Sequence, residues 1–122
     1  MVHELEDPAD FLPLPPAALH ILLALADEDR HGYAIIQELS TRTRGAVAIG
    51  PGTLYRTIQR MLEQGLIVET DERPAPEMDD ERRRYYRLTS LGRSVARAEL
   101  GRLADTLALA KARGVVPARG RA

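Results

Sequence analysis

Apolar positions along the chain follow a helical period in four stretches and a strand period in two, and the order of these periods predicts the fold. Pro13, Pro15 and Pro16 mark the entry to a first helix, expected from about Pro16 to Ala26. Leu19, Ile21, Leu22, Leu23 and Leu25 leave that helix apolar almost all round, which suits burial on both sides, by its own core and by a second subunit. His31 and Gly32 open a second helix ending near Thr41, with Tyr33, Ile35, Ile36 and Leu39 at helical spacing. After a connection over residues 42–50, Gly50-Pro51-Gly52 breaks the chain and restarts it as a third helix. In this helix Leu54, Ile58, Met61 and Leu62 fall on one face, and Arg56, Gln59, Arg60 and Glu63 on the opposite one. Thr53 and Thr57 stand on one shoulder of the polar face and Tyr55 on the other.

Gly65 suits a left-handed cap, and Leu66-Ile67-Val68 reads as a short strand. Pro74, Pro76 and a cluster of acids exclude a helix over residues 72–81, which are expected to form the tip of a hairpin. The return strand is expected from Arg82 to Leu88. Its alternation sets Arg82, Arg84, Tyr86 and Leu88 on one side and Arg83, Tyr85 and Arg87 on the other, so some arginines must face solvent. Thr89 is a plausible N-cap for a last helix, roughly Ser90 to Arg113. Its stripe of Leu91, Val95, Ala96, Leu100, Leu103 and Leu107 continues past the compact part of the chain and needs a partner, either the first helix or a second copy.

The fold class that follows is mainly α with a small β-hairpin wing, a winged helix-turn-helix plus a C-terminal dimerisation helix. An arginine-bearing helix followed by a basic two-stranded ribbon is what such a fold presents to double-stranded DNA. Plainer readings stand beside it. The third helix could be an ordinary solvated helix, the wing arginines could guard a sheet edge, and the whole could be a winged-helix adaptor that binds protein and not DNA.

Composition adjusts this picture. At 122 residues the chain has room for one modest core. The 18 acids and 17 bases leave a net charge of −1, which argues mildly against nucleic acid until their distribution is considered. Acids collect at the N-terminus, at Asp27–Asp29 and over residues 69–81, while arginines collect at 56, 60, 82, 83, 84 and 87. All the bases but Lys111 are arginine, the side chain suited to bidentate phosphate and guanine contacts, although a GC-rich genome would give the same bias. The absence of cysteine excludes disulfides, thiolate metal sites and thiol catalysis, and fits a reducing cytoplasm. Ile21 to Ala26, the longest apolar run, is too short for a membrane span, and the acidic start is wrong for a secretory signal. His3, His20 and His31 are too scattered for a metal site, no cofactor motif is present, and no catalytic constellation appears.

Several short motifs stand in a telling order. Gly32-Tyr33 opens the second helix, Pro51-Gly52-Thr53-Leu54-Tyr55 opens the third and Gly65-Leu66-Ile67 closes it, and Arg84-Tyr85-Tyr86-Arg87-Leu88-Thr89 lies in the return strand. Over roughly residues 17–110 the chain resembles the PadR family of transcriptional regulators, in the form with a single C-terminal helix. The resemblance implies a homodimeric repressor acting on a palindromic operator. It carries the DNA-reading role to Thr53, Tyr55, Arg56, Gln59 and Arg60 and the wing role to Arg82, Arg83 and Arg84. Dimer contacts are expected from Leu19, Leu22 and Leu23 on the first helix and from Leu100, Leu103 and Leu107 on the last. Members of the family respond to small molecules, often between subunits, but without Trp, and with one Phe and four Tyr, an aromatic stacking pocket has little support and the effector has no identity. On this reading residues 1–12 are a flexible acidic N-terminal segment, 13–89 the winged helix-turn-helix, 90–113 the dimerisation helix and 114–122 a flexible tail.

Overall fold

The computed structural model describes residues 6–70 and 84–116. Among these residues four helices and a small sheet follow in the order α1 (Pro16–Ala24), β1 (Arg30–His31), α2 (Gly32–Arg42), α3 (Pro51–Gln64), β2 (Ile67–Thr70), β3 (Tyr85–Leu88) and α4 (Ser90–Ala112). The first three helices and the start of α4 pack their apolar faces together. Ile21 and Leu22 of α1, Ile35 and Leu39 of α2, Leu54, Ile58 and Met61 of α3, and Val95 of α4 form the centre of the core. Burying a side chain of this size contributes about 1.5–3 kcal/mol, which gives the tertiary contacts command over where each helix lies.

Local chemistry sets the ends of the elements. Proline stands at the start of α1 and of α3, where its missing N–H costs nothing. Gly65 closes α3 with a φ of 79°, in the left-handed region the sequence suggested for it. Thr89 caps α4 as expected, its Oγ1 accepting the Gly92 N–H at 2.9 Å. The same hydroxyl reaches the carbonyls of Gly65 at 2.7 Å and Leu66 at 2.9 Å, so one side chain joins the end of α3 to the start of α4.

The sheet has three strands where the sequence suggested two. Arg30 and His31 pair antiparallel with Tyr86 and Tyr85, placing β3 between β1 and β2. On its other edge Ile67 faces Leu88 and Thr70 faces Tyr85. A two-residue strand carries no alternation to read, and only its partner gives it away. The central position also explains why Tyr85 and Tyr86 are both buried, although alternation sends them to opposite sides. Tyr86 joins the core, and Tyr85 meets the edge of the His31 ring at a centroid distance of 5.3 Å.

Residues 6–15, ahead of α1, are packed onto the domain. Pro8–Phe11 forms a 3-10 turn capped by the Asp7 carboxylate, Phe11 and Leu12 pack on the core, and Leu14 is buried. This strap lies against α4, with the Leu14 backbone near the carboxylate of Glu99. Residues 1–5, the wing tip expected over 72–81, and the tail from 117 onward lie outside the described residues.

Candidate nucleic-acid interface

α3 is held by its inner face and free along its outer one. Leu54, Ile58 and Met61 are fully enclosed, whereas Thr53, Tyr55, Arg56, Gln59 and Arg60 are all exposed. The five residues expected to read DNA thus share one solvent-facing surface. Arg56 donates to Thr53 Oγ1 at 3.4 Å and Gln59 to Glu63 at 3.3 Å, contacts long enough to give way to a ligand. Arg60 has no polar partner among the described residues. Two guanidinium groups on one face of a rigid helix can engage phosphate or the acceptor edge of guanine bidentately.

Tyr55 has a second task beside its exposed hydroxyl. Its ring lies over Gly32 at the start of α2, where a Cβ would stand 2.7 Å from the ring's Cζ and closer still to the hydroxyl. Glycine at 32 therefore admits the close approach that braces α3 against α2. Tyr55 also stands near the buried Tyr86. Burial foremost, with Glu69 and Tyr55 adding to it, holds the Tyr86 hydroxyl above its ordinary pKa, so it remains neutral.

At the wing, Arg84 is largely exposed and pairs with Glu69 across the hairpin at 3.1 Å. Arg82 and Arg83 lie outside the described residues. Arg87 behaves differently from its neighbours in sequence, because it is bound to Asp29 through Nε at 3.2 Å and Nη2 at 2.8 Å. That fork ties β3 to the loop after α1 and fixes the base of the wing beside α3. Sequence reasoning missed the pair, since its members are 58 residues apart and Asp29 stands in an ordinary acidic run. It also missed His31 as the cap of α2, where Nδ1 accepts the Ala34 N–H at 3.1 Å.

The residues expected between subunits divide into two groups. Leu100, Leu103 and Leu107 are 42%, 38% and 46% exposed, and Leu109 joins them at 51%. Residues 100–109 of α4 have every side chain open to solvent, as befits a helix running beyond its own domain. By contrast Leu19 and Leu22 are buried in the chain's own core, Leu22 with no accessible surface at all, and Leu23 is half-buried against that core. The expectation of dimer contacts from Leu19 and Leu22 is corrected accordingly, because side chains already enclosed have no surface left for a partner. An apolar α1 reports here on packing within one chain.

Glu99 is the one buried charged residue among those described, 2% exposed near the point where α4 leaves the domain. Arg102 grips it through Nε at 2.7 Å and Nη2 at 2.9 Å. The Arg102 hydrogen bonds foremost, aided by its charge and by the Leu14 N–H, hold the Glu99 carboxyl below the usual glutamate range against the opposing effect of burial. Among the described residues no cluster of His, Asp and Glu could hold a metal ion, and no helix is long and apolar enough to cross a membrane.

A braced helix with an open polar face beside an anchored hairpin is the geometry of a winged helix-turn-helix, and residues 21–98 match the family model described as the transcriptional regulator PadR-like family. The chain belongs to that family. PadR-like proteins are regulators of transcription and not enzymes. The chain is 42% identical over 76 residues to the transcriptional regulator Rv3488 of Mycobacterium tuberculosis, a match covering 62% of this chain and 64% of that protein. It spans just under two thirds of the length of two of the curated relatives it matches and 26% of two others. Among solved structures, a transcriptional regulator from Clostridium thermocellum superposes with a TM-score of 0.66 at 25% identity, covering 76% of this chain and 84% of that one. Bacillus subtilis PadR, solved in complex with operator DNA, superposes with a TM-score of 0.58 at 16% identity, covering 70% of this chain and 48% of that one. At that identity the likeness speaks for the shared fold.

Proposed function

We propose that this PadR-like protein is a sequence-specific DNA-binding regulator that acts as a homodimer and represses transcription from a palindromic operator. The observation that carries the reading is the outer face of α3, where Arg56 and Arg60 stand exposed with no carboxylate bound to either among the described residues. Each subunit inserts α3 into a major groove, Arg56 and Arg60 contact base edges, and Thr53, Tyr55 and Gln59 position the helix on phosphates and neighbouring bases. Arginines of the wing, Arg82 to Arg84, contact the backbone and set the salt dependence. The exposed leucines of α4 supply the second subunit, since a two-fold dimer presents two reading helices to two half-sites. The relative from Bacillus subtilis, solved on its operator, supports the same use of a shared fold.

Repression follows from occupancy of the promoter, and a small molecule that alters the spacing of the two α3 helices would release it. The test is selection of bound duplexes from a random pool over several rounds, followed by sequencing. Enrichment of an inverted repeat with half-site centres roughly 34–36 Å apart is the expected result. A pool that stays random at low salt would remove the DNA-binding reading and leave the winged domain as a protein-interaction module.

A further inference from the structure

Between the N-terminal strap and α3 lies a groove of about 440 Å³, within the range of small-molecule sites. Phe11, Pro13 and Pro15 line it from the strap, and Met61, Arg56 and Arg60 line it from α3. One side is therefore apolar and rigid, with two proline rings whose backbone is already fixed, and the other carries two positive charges. The strap is held in place by its 3-10 turn, by burial of Leu14 and by its packing against α4. Arg60, without a polar partner among the described residues, has its donors turned to whatever enters.

The geometry points to this groove as a binding site for a small carboxylate with a compact apolar body. The carboxylate would take the fork of Arg60, with the charge of Arg56 beside it, and the apolar body would cover Phe11 and the prolines and leave water. The site is lined by residues of one chain. Because it enlists the two arginines assigned to the operator, the ligand and DNA compete directly and no change of dimer geometry is required. This consequence rests on the DNA-binding reading; the existence of the site does not.

The experiment titrates the full-length, 15N-labelled protein, free of DNA, with cyclohexanecarboxylate, with its neutral amide and with acetate. The carboxylate should bind with saturable backbone shifts confined to residues 11–18 and 56–64. The amide lacks the charge and acetate lacks the body, so both should bind at least tenfold more weakly. Arg60→Gln should weaken the carboxylate by tenfold or more with its melting temperature unchanged, while Arg97→Gln, at an exposed arginine of α4 outside the groove lining, should leave it unaltered. Absence of saturable shifts, equal binding of all three probes, or an unaffected Arg60→Gln protein would overturn the site. With a selected duplex present, saturating cyclohexanecarboxylate should raise the apparent Kd for DNA severalfold, and an unchanged value would overturn the competition. A protein that takes the carboxylate but ignores every duplex would sink the regulator reading alone. One that binds duplex but not the carboxylate would sink the groove alone.

Discussion

Gly92→Ala should destabilise the protein although the residue stands inside a helix, where the same exchange ordinarily helps. In an open helix the added methyl group stabilises by about 0.5–1 kcal/mol, by restricting the unfolded chain and improving helix propensity. At position 92 the new Cβ would run into the carbonyl oxygen of Leu66, and would lie 2.8 Å from Leu88 Cδ1 and 3.0 Å from the Leu66 carbonyl carbon. A backbone carbonyl cannot swing aside as the end of a side chain can. The same oxygen already accepts the Thr89 N–H at 3.1 Å and lies 2.9 Å from the Thr89 hydroxyl. The first turn of α4 must therefore lift from the start of β2, at about 1–3 kcal/mol for overpacking and about 1 kcal/mol for a weakened cap. Against the gain in propensity, the net loss is about 1–3 kcal/mol, or roughly 5–15 °C in Tm for a domain of this size. Gly101→Ala is the matched control, since a Cβ there meets nothing within 4 Å. Melting both variants and the parent by circular dichroism at one protein concentration should lower the transition for Gly92→Ala and raise it slightly for Gly101→Ala. A Gly92→Ala protein that melts at or above the parent would refute the account of this contact.

Three further outcomes follow from the same geometry. Arg60→Ala should cost about 1–3 kcal/mol on a selected operator and much less on random duplex, measured by fluorescence anisotropy at fixed salt; equal losses on both would move Arg60 from a base to the backbone. Leu103→Asp places a charge in the exposed stripe of α4 and should shift the sedimenting species from dimer to monomer while the far-ultraviolet spectrum keeps its helical shape; an unchanged dimer would send the interface elsewhere. For Glu99→Gln the sign follows from a folded carboxyl pKa held below its unfolded value, so the stabilisation is full above the ordinary glutamate value of 4.5 and is lost as pH falls through the lower, folded one. The stability gap between parent and Glu99→Gln, read from urea midpoints, should thus be widest at neutral pH and close on acidification below that range; a gap constant from neutral to acid pH would show that the Arg102 grip does not act through the charge of Glu99.

The outward set of α3 was legible because an exposed helix face is written in local spacing. Leu54, Ile58 and Met61 at helical intervals require Arg56 and Arg60 to point away from the core, whatever that core contains. The cap at Thr89 and the left-handed Gly65 were legible for the same reason, since the chemistry of a helix end is settled within a few residues. The leucines of α4 were legible as a stripe in want of a partner. Those of α1 were not separable by pattern, because a helix apolar all round offers no face to prefer. Only packing distinguished the enclosed Leu22 from the half-buried Leu23.

By itself, then, the order of periods and breakers along the chain determined the four helices, the basic hairpin and the outward set of α3, and motif order determined the PadR-like family. Tertiary structure decided everything that needed two distant segments to meet. It paired Arg30–His31 with β3 to complete the sheet, brought Asp29 to Arg87, laid the acidic strap over α4 with Leu14 at Glu99, and so formed the groove beside Arg56 and Arg60. None of these contacts has a local period, because each is selected by the apolar surface and the charges that become buried together when the whole chain closes.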